Sequence, residues 1–198
     1  MKTVNIMIVG VGGQGSLLAS KLLGNLLLEE NYDVKVSEVH GMSQRGGDVQ
    51  SNLRISSTPI ASDLIPLGKA DLIISLEPME AMRYLPYLKK DGWVITNTEP
   101  FVNIPDYPDL DTLMQRIETL PHHVALDVAA IASEAASPRA ANIVLLGAAA
   151  PFLGIDIAKI EDGIHSVFAR KGDAIVEMNI KAFRAGLKVA HARIKGNN

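Results

Sequence analysis

The 198-residue chain is predicted to fold as an α/β domain of Rossmann-like, three-layer architecture, with a mixed sheet and a helical C-terminal third. Short apolar runs alternate with amphipathic segments through the first two thirds, which indicates helices on both faces of a sheet. Only the nine residues His40 to Asp48 separate the second and third apolar runs. Because a parallel crossover needs roughly a dozen residues or more, these two strands are expected to be antiparallel.

The composition fits a single domain, residues 1–198, and excludes several kinds of site. The hydrophobic fraction is 47% and the charged fraction 21%, which is ordinary for a globular protein. A net charge of −3 gives no indication of a nucleic-acid partner or an anionic membrane partner. The chain has no cysteine, which excludes disulfides, thiolate nucleophiles and cysteine-ligated zinc or iron–sulfur clusters. Any electron carrier must therefore lie in another chain.

The sequence predicts a cytoplasmic protein. Met1-Lys2-Thr3 leads directly into the apolar run Val4–Val9, which favours a core strand over a leader peptide. The longest strongly apolar stretch is Ile143 to Leu153. It is well short of the roughly 18 residues that a membrane span requires.

The first half of the chain is predicted to supply three strands and one helix. Val4–Val9 is short, apolar and followed by glycine, as expected of a buried strand. Residues 16–30 have a wide apolar face of helical spacing. Val34–Val39 is the second strand. Residues 49–55 alternate apolar and polar side chains, which predicts a half-buried strand with one polar face.

The second half is predicted to complete the sheet and to cover it with helices. The further predicted strands are 70–76, 93–96 and 124–126, and the main predicted helices are 77–88, 112–119, 157–168 and 173–194. An Asp91-Gly92 turn is expected to precede the strand at 93–96. Residues 140–152 are apolar nearly all round, so this helix is expected to be buried in the fold or in an interface.

The first candidate site is the turn Gly10-Val11-Gly12-Gly13-Gln14-Gly15, between the first strand and the first helix. Glycine permits a tight turn and close backbone approach, and the N–H groups at the start of a helix attract anions. Gly10, Gly12, Gly13, Gln14 and Gly15 are therefore candidate contacts for an anionic group, coenzyme A or a partner chain.

This turn also has two other interpretations. It is compatible with a nicotinamide or flavin dinucleotide, with Glu38 at the end of the second strand binding the ribose. The short link His40 to Asp48 opposes that hypothesis, because it breaks the βαβαβ unit after its second strand. Alternatively, the glycines serve only to let the strand and the helix pack closely.

The second candidate site is the link itself, His40-Gly41-Met42-Ser43-Gln44-Arg45-Gly46-Gly47-Asp48. It combines three glycines with an imidazole, an amide, a guanidinium and a carboxylate. The planar guanidinium of Arg45 suits a carboxylate or a phosphate, so Ser43, Gln44 and Arg45 are candidate binding residues. The alternative is a solvated loop with an Arg45–Asp48 contact.

No metal site is expected, because the neighbouring His122 and His123 would point to opposite faces of a strand.

These motifs resemble the small, gamma-type subunit of the thiamine-diphosphate-dependent 2-oxoacid:ferredoxin oxidoreductases. The similarity lies in the first glycine turn, in Arg45-Gly46-Gly47 before an alternating strand, in Ser75-Leu76-Glu77, and in the helix segment from Asn142 to Gly147. It spans nearly the whole chain. The segment Ser43 to Gly47 is most similar to the indolepyruvate branch of this family.

The resemblance implies a subunit that is not catalytic alone. The complex is expected to decarboxylate an aryl-2-oxoacid oxidatively, to reduce ferredoxin and to form an acyl-CoA. A large alpha subunit is expected to hold thiamine diphosphate, magnesium and the iron–sulfur clusters, while this chain completes the active-site and coenzyme A cleft. Other hypotheses are a pyruvate-type or other 2-oxoacid gamma subunit, an NAD(P)-binding oxidoreductase, and a stand-alone module for coenzyme A or a nucleotide.

Overall fold

The computed structural model describes residues 3–15, 22–24, 26, 32–41, 46–102 and 104–196. These residues form a six-stranded sheet with the strand order β2-β3-β1-β4-β5-β6. The strands are β1 Val4–Val11, β2 Asp33–His40, β3 Asp48–Ser56, β4 Ala70–Ser75, β5 Leu88–Asn97 and β6 His123–Leu126.

The sheet is mixed, as predicted. Strands β1, β4, β5 and β6 run parallel to one another, with Ile6 opposite Leu72 in the β1–β4 pair. Strand β3 runs antiparallel to both of its neighbours, so that Leu53 faces Ile6 on β1 and Val36 on β2. The antiparallel pairing expected from the short link is therefore confirmed. In a dinucleotide fold, a parallel strand would occupy the place of β3.

Helices cover the sheet and make up the C-terminal third. They are α1 Pro78–Arg83, α2 Leu110–Glu118, α3 Val128–Ala135, α4 Ala141–Ala149, α5 Ile157–Phe168 and α6 Asp173–Gly196. Of the helix predicted at residues 16–30, positions 22–24 and 26 are helical, and the others lie outside the described residues. Within the described ranges, every helix is too short or too polar to cross a membrane.

Two boundaries in the middle of the chain differ from the prediction. The helix expected over residues 77–88 ends at Arg83. Pro86 explains the early end, because proline lacks an N–H and disfavours the helical conformation of the residue before it. Strand β5 begins at Leu88, so Asp91-Gly92 lies within the strand, at an irregular register against β4, and not in a turn before it.

The polar face of β3 is covered by protein, contrary to the expectation of a half-buried strand. Asn52 is fully buried, and its Oδ1 atom accepts a hydrogen bond of 3.2 Å from the Ile65 N–H. Arg54 Nη1 donates to the carbonyl oxygens of Ser62 and Leu64 at 2.7 and 3.2 Å. These contacts fix the segment between β3 and β4 over the polar side chains, whose buried groups need such partners.

Alternate residues of β1 enter two separate cores, which confirms the three-layer architecture. Ile6 and Ile8 pack with the C-terminal helices. Met7 and Val9 pack on the opposite face, against a smaller cluster that includes Tyr84.

Helix α4 is buried in the larger core, as predicted, and crosses α6 in direct backbone contact. A Cβ atom added to Gly147 would lie 2.0 Å from the carbonyl oxygen of Phe183 on α6. A Cβ atom added to Gly186 would lie 1.9 Å from the carbonyl oxygen of Val144 on α4. Only glycine fits at both positions, so the two helices pack at the shortest backbone distance that the crossing allows.

Candidate functional site

The two glycine-rich segments meet at one edge of the sheet. Strands β1 and β4 end side by side, with Val9 opposite Ser75. Strand β3 starts at the same edge, because Asp48 is paired with Val11 in the antiparallel ladder. In open α/β sheets this carboxyl edge is where ligands bind.

The two segments are joined by hydrogen bonds between their backbones. The Gly12 N–H donates to the Gly47 carbonyl oxygen at 2.8 Å, and the Gly46 N–H donates to the Gly12 carbonyl oxygen at 3.4 Å. Gly13 and Gly46 have φ angles of +103° and +77°, a conformation that favours glycine. The described parts of the two segments therefore form one backbone structure, which we call the double glycine turn (residues 10–15 and 46–48).

Ser43, Gln44 and Arg45 lie outside the described residues, so their place in the site stays a prediction. The described ends of their segment are Gly41 and Gly46. The second end is fixed to the first turn at Gly12. Any group that Arg45 binds must consequently lie within the reach of its side chain from this anchored end.

Gln14 supports the first turn with its side chain. Its Oε1 atom accepts a 2.8 Å hydrogen bond from the Val11 N–H, and its Nε2 atom donates to the Leu76 carbonyl oxygen at 3.4 Å. The same Oε1 atom would lie 2.9 Å from a Cβ atom at Gly10. Gln14 thus fills the space that Gly10 leaves open and ties the end of β1 to the end of β4.

Helix α4 reaches the double glycine turn through Asn142. Gly15 has a φ angle of +85°, and a Cβ atom there would lie 3.0 Å from Asn142 Nδ2. The segment from Asn142 to Gly147 therefore has two contacts, one with the turn and one with α6. In the sequence, Asn142 was noted only as part of the motif from Asn142 to Gly147, and the structure places it beside the double glycine turn.

A tyrosine links the second glycine segment to α1. The Tyr84 hydroxyl donates to Asp48 Oδ2 at 3.0 Å. Burial of the ring raises the pKa of Tyr84, and the Asp48 carboxylate raises it further. On the same helix, Arg83 Nε donates to Glu80 Oε2 at 3.0 Å. Burial nevertheless raises the pKa of Glu80, against the lowering effect of Arg83.

Glu77 is the buried anchor of this edge. Its carboxylate caps α1 by accepting a 2.9 Å hydrogen bond from the Glu80 N–H. It also accepts hydrogen bonds from the Phe101 N–H at 3.4 Å and from the Tyr107 hydroxyl. Burial and the Glu77 carboxylate together raise the pKa of Tyr107. Glu77 thus holds the loop that follows β5 against α1.

Asn97 joins the ends of three neighbouring strands. Its Nδ2 atom donates to the carbonyl oxygens of Leu76 and Glu99 at 3.3 and 3.1 Å. Its Oδ1 atom accepts a 3.2 Å hydrogen bond from the Val128 N–H, at the start of α3. Sequence reasoning missed Asn97, Tyr84 and Tyr107, because each acts through a partner far away in the chain.

The described residues contain no group of three or more histidine, cysteine, aspartate or glutamate side chains that could hold a metal ion. The adjacent histidines make separate contacts. The His122 ring stacks on Trp93 with centroids 5.1 Å apart, while His123 Nδ1 lies 2.7 Å from the Leu120 carbonyl oxygen. What the described residues offer at this edge is a network of carboxylates and hydroxyls beside the two glycine segments.

The fold and the site define an α/β domain with an antiparallel strand beside β1 and a double glycine turn at the carboxyl edge. This arrangement is distinct from the dinucleotide-binding fold. The chain belongs to the pyruvate ferredoxin/flavodoxin oxidoreductase family, whose sequence profile matches residues 5–189.

Its similarity to characterised relatives extends over nearly the whole chain. It is 39% identical to indolepyruvate oxidoreductase subunit IorB of Thermococcus kodakarensis, over 96% of this chain and 97% of that protein. It is 29% identical to the pyruvate/ketoisovalerate oxidoreductases common subunit gamma of Pyrococcus abyssi, over 91% of this chain and 94% of that protein.

Solved structures confirm the predicted fold. The gamma subunit of the keto/oxoacid ferredoxin oxidoreductase of Geobacter sulfurreducens is 25% identical, with a TM-score of 0.70 over 96% of this chain and 99% of that one. The 2-oxoglutarate:ferredoxin oxidoreductase of Magnetococcus marinus, solved with 2-oxoglutarate, coenzyme A and succinyl-CoA, gives a TM-score of 0.75 at 19% identity. The match covers 97% of this chain and 32% of that one, so the chain spans about a third of its length.

Proposed function

We propose that the chain is the small subunit of an indolepyruvate:ferredoxin oxidoreductase, which decarboxylates aryl-2-oxoacids oxidatively and forms aryl-acetyl-CoA. The observation that carries this proposal is 39% identity to an indolepyruvate subunit over almost the full length of both chains, against 29% for a pyruvate/ketoisovalerate gamma subunit. Residues 1–198 act as one domain in this proposal, in the cytoplasm, and the other 2-oxoacids remain the alternative substrates.

The cofactors belong to the large alpha subunit. Thiamine diphosphate supplies the carbanion chemistry of decarboxylation, and iron–sulfur clusters carry the electrons to ferredoxin. The absence of cysteine from all 198 residues supports this division, since such clusters are held by cysteine thiolates. Magnesium accompanies the diphosphate in the same subunit. The small subunit reaches ferredoxin only through the complex, and its contribution is to bind and orient.

The double glycine turn completes the cleft for the 2-oxoacid and coenzyme A. Gly13 and Gly15, which are exposed, bring the backbone close to an anionic group. Gly10 and Gly12 support the turn from behind, through their contacts with Gln14 and Gly47. Ser43, Gln44 and Arg45 face the cleft, where Arg45 binds a substrate carboxylate, a coenzyme A phosphate or a carboxylate of the partner.

The test is reconstitution with the large subunit. The two chains are purified separately and mixed, and viologen reduction is measured with indolepyruvate, pyruvate and 2-oxoglutarate, each with and without coenzyme A. We expect turnover only from the mixture, with the highest kcat/KM for indolepyruvate. A preference for pyruvate would overturn the substrate assignment, and turnover by the small chain alone would overturn the assignment as a subunit.

Arg45→Ala tests the site within that assay. The variant complex is expected to lose at least about tenfold in turnover, or to gain about tenfold in KM for coenzyme A or the 2-oxoacid, which corresponds to about 1.4 kcal/mol. The stability of the free subunit should change by less than about 0.5 kcal/mol. Arg170→Ala, at an exposed position on the 3-10 turn after α5, is the matched control. Equal activity of Arg45→Ala and wild type would remove Arg45 from the site.

The topology argues against the NAD(P) alternative. Strand β3 is antiparallel to β1, and the Gly12 N–H, which would face a pyrophosphate in a dinucleotide fold, donates to Gly47 instead. Calorimetric titration with NADH and NADPH should therefore detect no tight binding. A dissociation constant near 1 μM, about 8 kcal/mol, would contradict this argument.

A further inference from the structure

We infer that the surface formed by the α1–α2 groove and the loop after β5 docks the large subunit. The surface, which we call the docking face, is defined by Met82, Arg83 and Arg116 in the groove and by Phe101, Val102 and Ile104 on the loop. Its occupant is apolar at the centre and carries carboxylates opposite the two arginines. The inference rests on the proposed function, because it assumes that the chain works in a complex with a large subunit.

The loop presents three large apolar side chains to solvent within four residues. Phe101 is 43% exposed, Val102 69% and Ile104 39%. Single exposed apolar side chains are common, but clusters of them mark interaction sites on monomeric proteins. The cluster lies at the same carboxyl edge as the double glycine turn.

A buried charge holds this loop in place. The Phe101 N–H and the Tyr107 hydroxyl both donate to the carboxylate of Glu77, which is fully buried. Burying a carboxylate is costly unless hydrogen bonds compensate it. The hydrogen bonds from Phe101 and Tyr107 compensate this cost, and they fix a loop whose apolar side chains are not covered by the described part of the chain. A loop that is already ordered loses less entropy when a partner binds it.

The groove next to the loop has the composition of an interface centre. It has a volume of about 480 Å³ and lies between α1 and α2. Met79 and Met82 line one side and are half-buried, and Arg83 and Arg116 stand at its rim. Methionine and arginine are both enriched at the centres of protein–protein interfaces, and methionine adapts its shape to a partner.

The charges at the rim indicate the chemistry of the occupant. Arg83 binds Glu80 through its Nε atom, and its side chain is 52% exposed. Arg116 is exposed and makes no salt bridge with the described residues. Carboxylates of the partner would complete both guanidinium groups in bidentate geometry.

Two other occupants fit less well. In a symmetric dimer the same patch faces itself. Asp109 is the one acidic residue among those that line the groove, and its carboxylate already caps α2 through the Thr112 N–H, so it would compensate the arginines of a second copy poorly. A small molecule needs enclosure, but five of the eight residues that line the groove are exposed. The fold also occurs as about one third of a longer chain in the Magnetococcus marinus structure, so it is compatible with permanent contact to further domains.

The test measures the affinity of the small chain for the large subunit. Val102→Asp and Arg116→Glu each alter the docking face. Leu67→Asp is the matched control for the first, since Leu67 is 65% exposed in the segment between β3 and β4. Arg170→Glu is the control for the second. Val102→Ser serves as a milder variant if the aspartate impairs folding, which thermal melting of each free chain will show.

We expect Val102→Asp and Arg116→Glu to raise the dissociation constant at least about tenfold at 0.15 M salt, and the controls to bind like wild type. Wild-type affinity in both docking-face variants, or equal losses in the controls, would overturn the inference. So would a free chain that sediments as a dimer and is dissociated by Val102→Asp, because a second copy would then be the occupant. A wild-type chain that binds no large subunit would refute the proposed function instead.

Discussion

Replacing one glycine of α4 should separate two helices that now touch through their backbones. In Gly147→Ala, the new Cβ atom would start 2.0 Å from the carbonyl oxygen of Phe183. Ordinary van der Waals contact begins at 3.4 Å, so the helices must move apart by about 1.4 Å. Gly163→Ala on α5 is the matched control, since the nearest atoms there lie at 3.6 Å.

The two substitutions should therefore have effects of opposite sign. Gly163→Ala adds helix propensity without a clash and should stabilise the chain by up to about 1 kcal/mol. Gly147→Ala gains the same propensity but forces overpacking, which costs about 1–3 kcal/mol where side chains can yield. Because the obstacle at Gly147 is a backbone carbonyl, which cannot rotate away, we expect a net loss of about 3 kcal/mol or more.

Urea unfolding followed by circular dichroism measures the difference directly. For a chain of this length 1 kcal/mol corresponds to about 2–4 °C in Tm, so Gly147→Ala should melt about 6–12 °C below wild type. The shift of α4 also moves Asn142, which contacts the first glycine turn. If Gly147→Ala is as stable as Gly163→Ala, the close crossing of α4 and α6 is wrong.

Three further outcomes are expected. Burial raises the pKa of Glu80 in the folded chain, so the wild-type chain loses stability as this carboxyl ionises. The stability of Glu80→Gln relative to wild type should therefore improve as the pH rises from 4 to 7, and a difference in melting temperature that does not change with pH would contradict this. Tyr84→Phe should lower the free energy of unfolding by about 0.5–1.5 kcal/mol, since it removes the hydrogen bond to Asp48. An unchanged free energy of unfolding in a urea titration would contradict this. Arg184→Ala should cost less than about 1 kcal/mol despite two 2.7 Å contacts with Glu161, because the pair is exposed to solvent; a larger loss in the same titration would show that the pair is structural.

Local patterns were sufficient to predict that the six strands and the C-terminal helices exist, although β5 begins at Leu88 and not after a turn at Asp91-Gly92. The length of the link from His40 to Asp48 predicted the antiparallel pair, because chain length alone limits the crossover. The helix Ile157–Phe168 was predicted with its observed bounds, since its apolar face has a regular helical period. The end of α1 was predicted wrongly because the apolar spacing continues to Leu88, although Pro86 was a visible stop signal.

The contacts that build the site were not predictable from local patterns. Glu77 was recognised only as an acid at the end of a strand, and its partners Phe101 and Tyr107 lie 24 and 30 residues further along the chain. Asn52 lies on the polar face of an alternating strand, yet it is buried by the segment that follows. In each case the environment depends on which loop folds over the residue, and periodicity within one element carries no information about that.

The double glycine turn distinguishes this chain from a dinucleotide-binding fold at the level of backbone hydrogen bonds. The β1–β3 ladder continues beyond its last strand pair, Val11 and Asp48, into the hydrogen bonds between Gly12 and Gly46-Gly47. Part of the backbone of the first turn is therefore hydrogen-bonded to the second segment. The second segment is fixed at Gly46 to Asp48 by these bonds to Gly12 and by the Tyr84–Asp48 hydrogen bond. Gly46 to Asp48 are therefore held at a defined place on the carboxyl edge, directly beside the first glycine turn.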